Sequence, residues 1–141
     1  MAELAVATNR WPSMCSPEPA KDKFPSFIAG AAFTPGQTAY IHTDGKAYPA
    51  TDNATTLGTI PGANKIRGQA VGYAQAGNPV TITQGLRFDY GDASTFTIGS
   101  EVYLSGSNTN VGGLATTPTT GSYKAIGYAY NDHCVQFYPL S

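Results

Sequence analysis

Most of the stretch from Thr34 to Ile82 is written a second time further along the chain, and any fold must accommodate that repetition. The first copy reads Thr34-Pro35-Gly36-Gln37-Thr38-Ala39-Tyr40-Ile41, then Ala70-Val71-Gly72-Tyr73-Ala74, then Val80-Thr81-Ile82. The second reads Thr97-Ile98-Gly99-Ser100-Glu101-Val102-Tyr103-Leu104, then Ala125-Ile126-Gly127-Tyr128-Ala129, then Val135-Gln136-Phe137. Each copy is a Thr-x-Gly turn, a strand carrying Tyr, a loop, a strand carrying Gly-Tyr-Ala, and a closing strand. Length differs mainly in the loop, as surface connections tolerate. A solenoid needs at least three repeats, so two copies imply a duplicated strand unit closing one core.

Composition agrees with an all-β reading. Charged residues are 12% of the 141, against about 25% in an ordinary soluble domain. Thr, Ser, Asn and Gln take their place, with sixteen Gly and ten Pro as punctuation. So few charges also suit a surface that other chains cover, because little charge must then be desolvated. A net charge of −1 without a basic run disfavours nucleic acid as partner. No apolar run approaches the roughly 20 residues of a membrane-spanning helix, so no membrane partner is expected. The first eight residues lack the basic and apolar regions of a secretion signal, which places synthesis and folding in the cytosol. In that reducing setting Cys15 and Cys134 are expected as free thiols, and their spacing fits no zinc pattern.

Residues 1–27 read differently from residues 28–141, which form the β-domain of the expected architecture. Pro12, Pro17, Pro19 and Pro25 exclude a continuous helix, and Glu18, Lys21, Asp22 and Lys23 concentrate charge. Two readings apply: a partly disordered tail, or an extended arm that orders on a partner. The single Trp favours the arm, with Asn9, Arg10, Trp11 and Pro12 as anchors, since Trp and Arg dominate binding hot spots. Within the domain, Asp44-Gly45 predicts a two-residue hairpin returning through Lys46-Ala47-Tyr48 to Pro49. Residues 50–65 read as loop, Ile66 to Ala74 as a strand, and Leu86-Arg87-Phe88-Asp89-Tyr90 as the best amphipathic strand. The Ser/Gly/Asn/Thr loop from Ser105 to Thr120 suggests exposure or contact with a neighbouring chain.

No catalytic constellation emerges, so no enzyme activity, cofactor or metal is expected. His42 shares a strand face with Tyr40 and reads as a surface or interface residue. His133 with Cys134 and Asp132 invites a thiol site, but Asn131-Asp132 reads as a turn before the last strand. Asp89, Asp92 and Glu101 would be the carboxylates of a glycosidase, yet Asp89 alternates outward with Arg87 and Asp92 follows Gly91 as turn acids do. Nucleophile-elbow, phosphate-loop and calcium-loop spacings are missing. The nine tyrosines suit half-buried strands, protein contacts or sugar stacking alike.

The pattern Thr-x-Gly-x-x-(Val/Ala)-Tyr-(Leu/Ile), the loop Gly113-Leu114-Ala115-Thr116-Thr117-Pro118, and Ala-(Val/Ile)-Gly-Tyr-Ala together resemble the small head-decoration (capsid cement) proteins of tailed bacteriophages. The fuller match is Thr97 to Tyr138. Asp44-Gly45-Lys46-Ala47-Tyr48 and Val71-Gly72-Tyr73-Ala74 look like the family's first half, and residues before Ala29 are unmatched. The resemblance implies a small β-barrel or β-tulip assembled as a homotrimer over the major capsid protein, on the outer surface of the virion capsid after synthesis in the host cytoplasm. Such proteins stabilise the expanded shell by protein contact, commonly completed by an N-terminal arm. The rival readings are a receptor- or carbohydrate-binding module of a phage tail fibre or baseplate, and a small hydrolase using Asp89, Asp92 or Glu101.

Overall fold

The computed structural model of the chain describes residues 13–14, 26–91, 96–118 and 124–139. Among them run β1 (Ser13–Met14), β2 (Ser26–Ile28), β3 (Thr38–Ile41), β4 (Ala47–Pro49), α1 (Ala54–Thr59), β5 (Gly68–Ala70), β6 (Pro79–Thr83), β7 (Arg87–Asp89), β8 (Glu101–Leu104), β9 (Leu114–Ala115), β10 (Gly127–Ala129) and β11 (Cys134–Phe137). The protein is all-β, with one short helix among the described residues. Its strands form a five-stranded sheet, β2-β6-β5-β3-β4, and a six-stranded sheet, β1-β7-β11-β10-β8-β9. Every named strand pair is antiparallel.

Strand order is shared between the sheets: β4-β3-β5-β6-β2 in one runs as β9-β8-β10-β11-β7 in the other, with β1 added outside β7. Turn hydrogen bonds follow the same plan. Gly36 N–H donates to Ala70 O at 2.9 Å, and Gly99 N–H to Ala129 O at 2.9 Å. Ala70 N–H donates to Gln37 O as Ala129 N–H donates to Ser100 O, both at 2.8 Å. Both turn glycines have positive φ, 86° and 82°, a region that side chains enter at a cost.

One sequence expectation needs correction here. The regular strand is Gly68–Ala70 rather than Ile66 to Ala74, and Gly68, not Gly72, occupies the place of Gly127. Gly68 stands opposite Ala39 as Gly127 stands opposite Val102. The reason is steric. A Cβ on Gly68 would lie 2.5 Å from Thr83 O, and one on Gly127 would lie 2.5 Å from Gln136 O, whereas nothing lies within 4 Å of a Cβ on Gly72. Similar letters in Val71-Gly72-Tyr73 and Ile126-Gly127-Tyr128 therefore serve different places.

A hairpin forms at Asp44-Gly45, but with a three-residue loop instead of the expected two: Ile41 stands opposite Ala47, His42 N–H donates to Lys46 O at 3.0 Å, Gly45 N–H donates to His42 O at 2.9 Å, and Gly45 takes φ 81°. After β2, Ala29 makes a parallel bridge to Ala47, and Gly30 N–H donates to Ala47 O at 2.8 Å. The five-stranded sheet thus curls until its two outer strands meet. Small residues permit this curl: Ala29, Ala39, Ala47, Ala70 and Ala74 line the interior with Phe33, Val80 and Ile82. The second core is built of larger groups, including Phe88, Phe96, Leu104, Leu114, Val135 and Phe137. Tyr40 joins that second core from the outer face of β3, so β3 is buried on both faces.

Residues 50–65, expected as loop, contain α1. Its start is fixed by Asn53, whose side chain accepts from Thr56 N–H at 3.1 Å. Six residues with no buried side chain offer no apolar period to read. The described part of the Ser105–Thr120 loop packs on its own chain. Thr38 N–H donates to Gly112 O at 2.9 Å, Gly112 N–H to Ala50 O at 2.7 Å, and the Asn53 amide to Gly106 O at 2.8 Å.

Candidate functional site

The expected anchors Asn9, Arg10, Trp11 and Pro12 lie outside the described residues, as do Cys15 and Asp92. Next to them in sequence, Ser13 and Met14 form β1 and pair with Asp89 and Phe88 on the edge of the six-stranded sheet. Of the N-terminal residues that are described, Ser13 and Met14 thus join β7, and Ser26 and Phe27 join β6.

That sheet has one packed face and one tyrosine-rich face. Val102, Leu104, Ala129, Val135 and Phe137 point into the core. By strand alternation Tyr103, Tyr128, Gln136, Arg87 and Asp89 point the other way. Register brings them together: Tyr128 stands opposite Glu101 on one side and Gln136 on the other, and Gln136 opposite Arg87. The Tyr128 and Tyr138 rings lie 5.8 Å apart, and the Arg87 guanidinium sits 3.5 Å above the Tyr130 ring. Arg87 Nε donates to Gln136 Oε1 at 3.3 Å, which holds the cation in place. Tyr130 and Tyr138 remain 47% and 37% exposed, enough to offer ring faces to a partner. Partial desolvation, followed by the nearby Glu101 carboxylate and Tyr128 and Tyr103, raises the Tyr138 pKa, so its hydroxyl stays a hydrogen-bond donor at neutral pH.

A second aromatic group sits on the five-stranded sheet. Tyr40 and Tyr48 stack at 5.9 Å, and His42 meets both edge-on at 6.0 and 5.7 Å. Tyr48 Oη donates to Asp44 Oδ2 at 2.6 Å, and this bond is the largest cause of the lowered Asp44 pKa and the raised Tyr48 pKa. His42, expected at a surface or interface, is half-buried between these two rings.

A cavity of about 450 Å³ lies where the Thr34–Gln37 turn, Tyr90 and the Asn108–Gly113 loop meet. Among the described residues its lining carries no charged side chain. The Tyr90 hydroxyl there donates to Gly36 O at 3.3 Å, and burial pushes its pKa far up. Such a lining suits neutral polar contacts and supplies no acid–base pair.

Of the carboxylates weighed for glycoside cleavage, Asp89 and Glu101 are not brought together. Asp89 on β7 and Glu101 on β8 are separated by β11 and β10. Strand spacing puts them about 14 Å apart, beyond the roughly 5–9.5 Å that either glycosidase geometry uses. Asp89 instead meets His133 at 3.1 Å, and His133 meets the Cys134 thiol at 3.3 Å. Both contacts fall on Nδ1, whereas a nucleophilic triad needs thiol and carboxylate on opposite ring nitrogens. Sequence reading paired His133 with Cys134 and Asp132 but missed Asp89. The signal was present: Asp89 alternates outward on β7, and β11 brings Cys134 opposite it.

No family model, no curated protein and no solved structure matches the chain.

Proposed function

We propose that this chain is a viral structural protein: a capsid decoration protein that cements the outside of an expanded phage head. The observation that carries the reading is the tyrosine face of the six-stranded sheet, with Arg87 clamped over Tyr130. It combines exposed aromatics and a fixed cation over a rigid core, the residue types that anchor protein–protein contacts. The resemblance of Thr97 to Tyr138 to the cement family supports it, as does the low charge content. On this reading the matching strand orders descend from one duplicated unit and form a small barrel or tulip. Residues 1–27 are an arm with Asn9, Arg10, Trp11 and Pro12 as anchors, the chain is a homotrimer, and its partner is the major capsid protein. A trimer attaches at several points at once, which raises apparent affinity without one strong site.

Co-sedimentation with emptied, expanded heads tests this, comparing the full chain with one starting at Phe27. The full chain should pellet with heads and raise their melting temperature, while the shortened chain should lose both effects. Trp11→Ala should cost more than about 1 kcal/mol of binding if it is an anchor. If the full chain stays in the supernatant but binds a glycan array, the fibre-module reading replaces this one.

A further inference from the structure

Asp89, His133 and Cys134 come from two adjacent strands and the turn between β10 and β11, and their donor atoms all lie within 4.8 Å of one another. Cys134 and Asp89 are directly opposed across β7 and β11, so their side chains share a face. Backbone bonds fix the turn: the Asn131 side chain accepts from His133 N–H at 2.9 Å and Cys134 N–H at 2.7 Å. The cluster is held by the fold and does not depend on long, flexible side chains.

Three atoms able to ligate a metal lie close together, with Asp89 Oδ1 also accepting from Gly91 N–H at 2.8 Å. Nδ1 lies 3.1 Å from an Asp89 oxygen and 3.3 Å from the Cys134 sulfur. A hydrogen on Nδ1 must be split between the two. Without that hydrogen, its lone pair faces the carboxylate oxygen. A cation accepts all three lone pairs together. With metal–ligand bonds of about 2.0–2.3 Å, neighbouring donors of a tetrahedral zinc site lie about 3.3–3.8 Å apart, close to the two distances from Nδ1. The ring's far side agrees: Nε2 lies 3.7 Å from Asp132 Oδ1. Nδ1 ligation requires the proton to sit on Nε2, where the exposed Asp132 carboxylate stands just beyond hydrogen-bond distance.

We propose that Asp89 Oδ1, His133 Nδ1 and Cys134 Sγ form a binding site for a borderline divalent cation of the zinc(II) class. A mixed oxygen, nitrogen and sulfur set suits zinc and disfavours calcium and magnesium, which take oxygen ligands. Binding releases the thiol proton to solvent as the thiolate coordinates. The His133 side chain is 36% exposed, so the fourth position is open to water on that side. The ion clips β7 to β11 beside Ser13, the β1 residue opposite Asp89, and so rigidifies the edge where the N-terminal segment pairs.

The test uses the full chain, reduced and freed of metal by a chelator, titrated with cobalt(II) and separately with zinc(II). Expected are one equivalent of cobalt, a thiolate-to-cobalt charge-transfer band, and a zinc-dependent rise in melting temperature. Cys134→Ser should abolish the band, Asp89→Asn should weaken binding, and Asp132→Asn should weaken it about 10-fold. His42→Gln and Cys15→Ser should leave it unchanged. Zinc X-ray absorption on the unmutated chain, showing one sulfur among nitrogen and oxygen ligands, keeps the test valid if Cys134→Ser fails to fold. Absence of both the band and the stabilisation at millimolar metal overturns the site, as does a band that survives Cys134→Ser or is lost in Cys15→Ser.

Discussion

The five-stranded and six-stranded sheets share a strand order and a set of turn bonds, yet they are filled in opposite ways. The first is packed with alanines, because a sheet curled until β2 meets β4 leaves no interior room. The second holds phenylalanines, leucines and valines. Their outer faces differ as well. That of the first is covered at β3, with Tyr40 sunk into the other core and Gly112 bonded to that strand, while Ile28 on β2 and Tyr73 beyond β5 stay exposed. That of the second shows Tyr128, Tyr130 and Tyr138. One sheet carries the tight closure and the other the open surface.

The largest test of this contrast is in the cores. Phe88 and Phe137 are fully buried and meet edge to face at 5.9 Å. Phe137→Ala should cost about 3–5 kcal/mol in urea unfolding, as large-to-small core changes do. Ala39→Leu should cost about 1–3 kcal/mol by the reverse mechanism, because Ala39 is fully buried in the alanine-packed core. If Ala39→Leu proves neutral, the curled sheet has slack and the contrast between the cores fails.

The glycines test the shared register. Gly68→Ala and Gly127→Ala should each destabilise by about 1–3 kcal/mol, since each new Cβ meets a neighbouring strand's carbonyl at 2.5 Å. Gly72→Ala should stay within about 0.5 kcal/mol, since its Cβ meets open space. A costly Gly72→Ala beside a harmless Gly68→Ala would restore the alignment that the letters alone suggested.

These positions also show what the sequence made legible. Leu86 to Tyr90 announced β7 because alternation was complete: Phe88 and Tyr90 are buried while Arg87 and Asp89 are not. Asp44-Gly45 announced its hairpin because the turn chemistry is local. Gly68 was missed because its requirement comes from Thr83 O, a partner distant in sequence. The Ser105 loop looked exposed because its composition is neutral. Its backbone bonds to Thr38, Ala50 and Asp52 carry no compositional mark. The tyrosines were all visible, but which face they share depends on the register of β8, β10 and β11.

Tyr90 ties the two halves, its hydroxyl donating to Gly36 O in the other sheet's turn. Tyr90→Phe should cost about 1 kcal/mol, the typical net worth of one hydrogen bond. Burial raises its folded pKa above the unfolded value of about 10. Stability from the neutral phenol is then fully present below about pH 10 and is lost above it, as the unfolded chain ionises first. Alkaline unfolding should therefore be shallower in Tyr90→Phe than in the parent chain. Equal slopes would mean the two sheets are not joined through this residue.

The smallest effect belongs to the exposed hairpin of the first sheet, where Tyr48 holds Asp44. The hydrogen bond from Tyr48 Oη, then the Lys46 backbone N–H, keeps the Asp44 carboxyl below its ordinary range. Its contribution is present above the unfolded value of about 3.9 and disappears as pH falls through the lower folded value. Tyr48→Phe removes the larger cause, so the Asp44 carboxyl should titrate higher, closer to the ordinary value, when followed by NMR. The midpoint of acid unfolding should barely move, because an ion held at the surface is already well solvated. A large stability loss in Tyr48→Phe would show that the hydroxyl supports the curled sheet itself. The hairpin would then count with the closure at Ala29 and Ala47, where the Tyr48 ring lies against Gly30, and no longer as an exposed ornament of it.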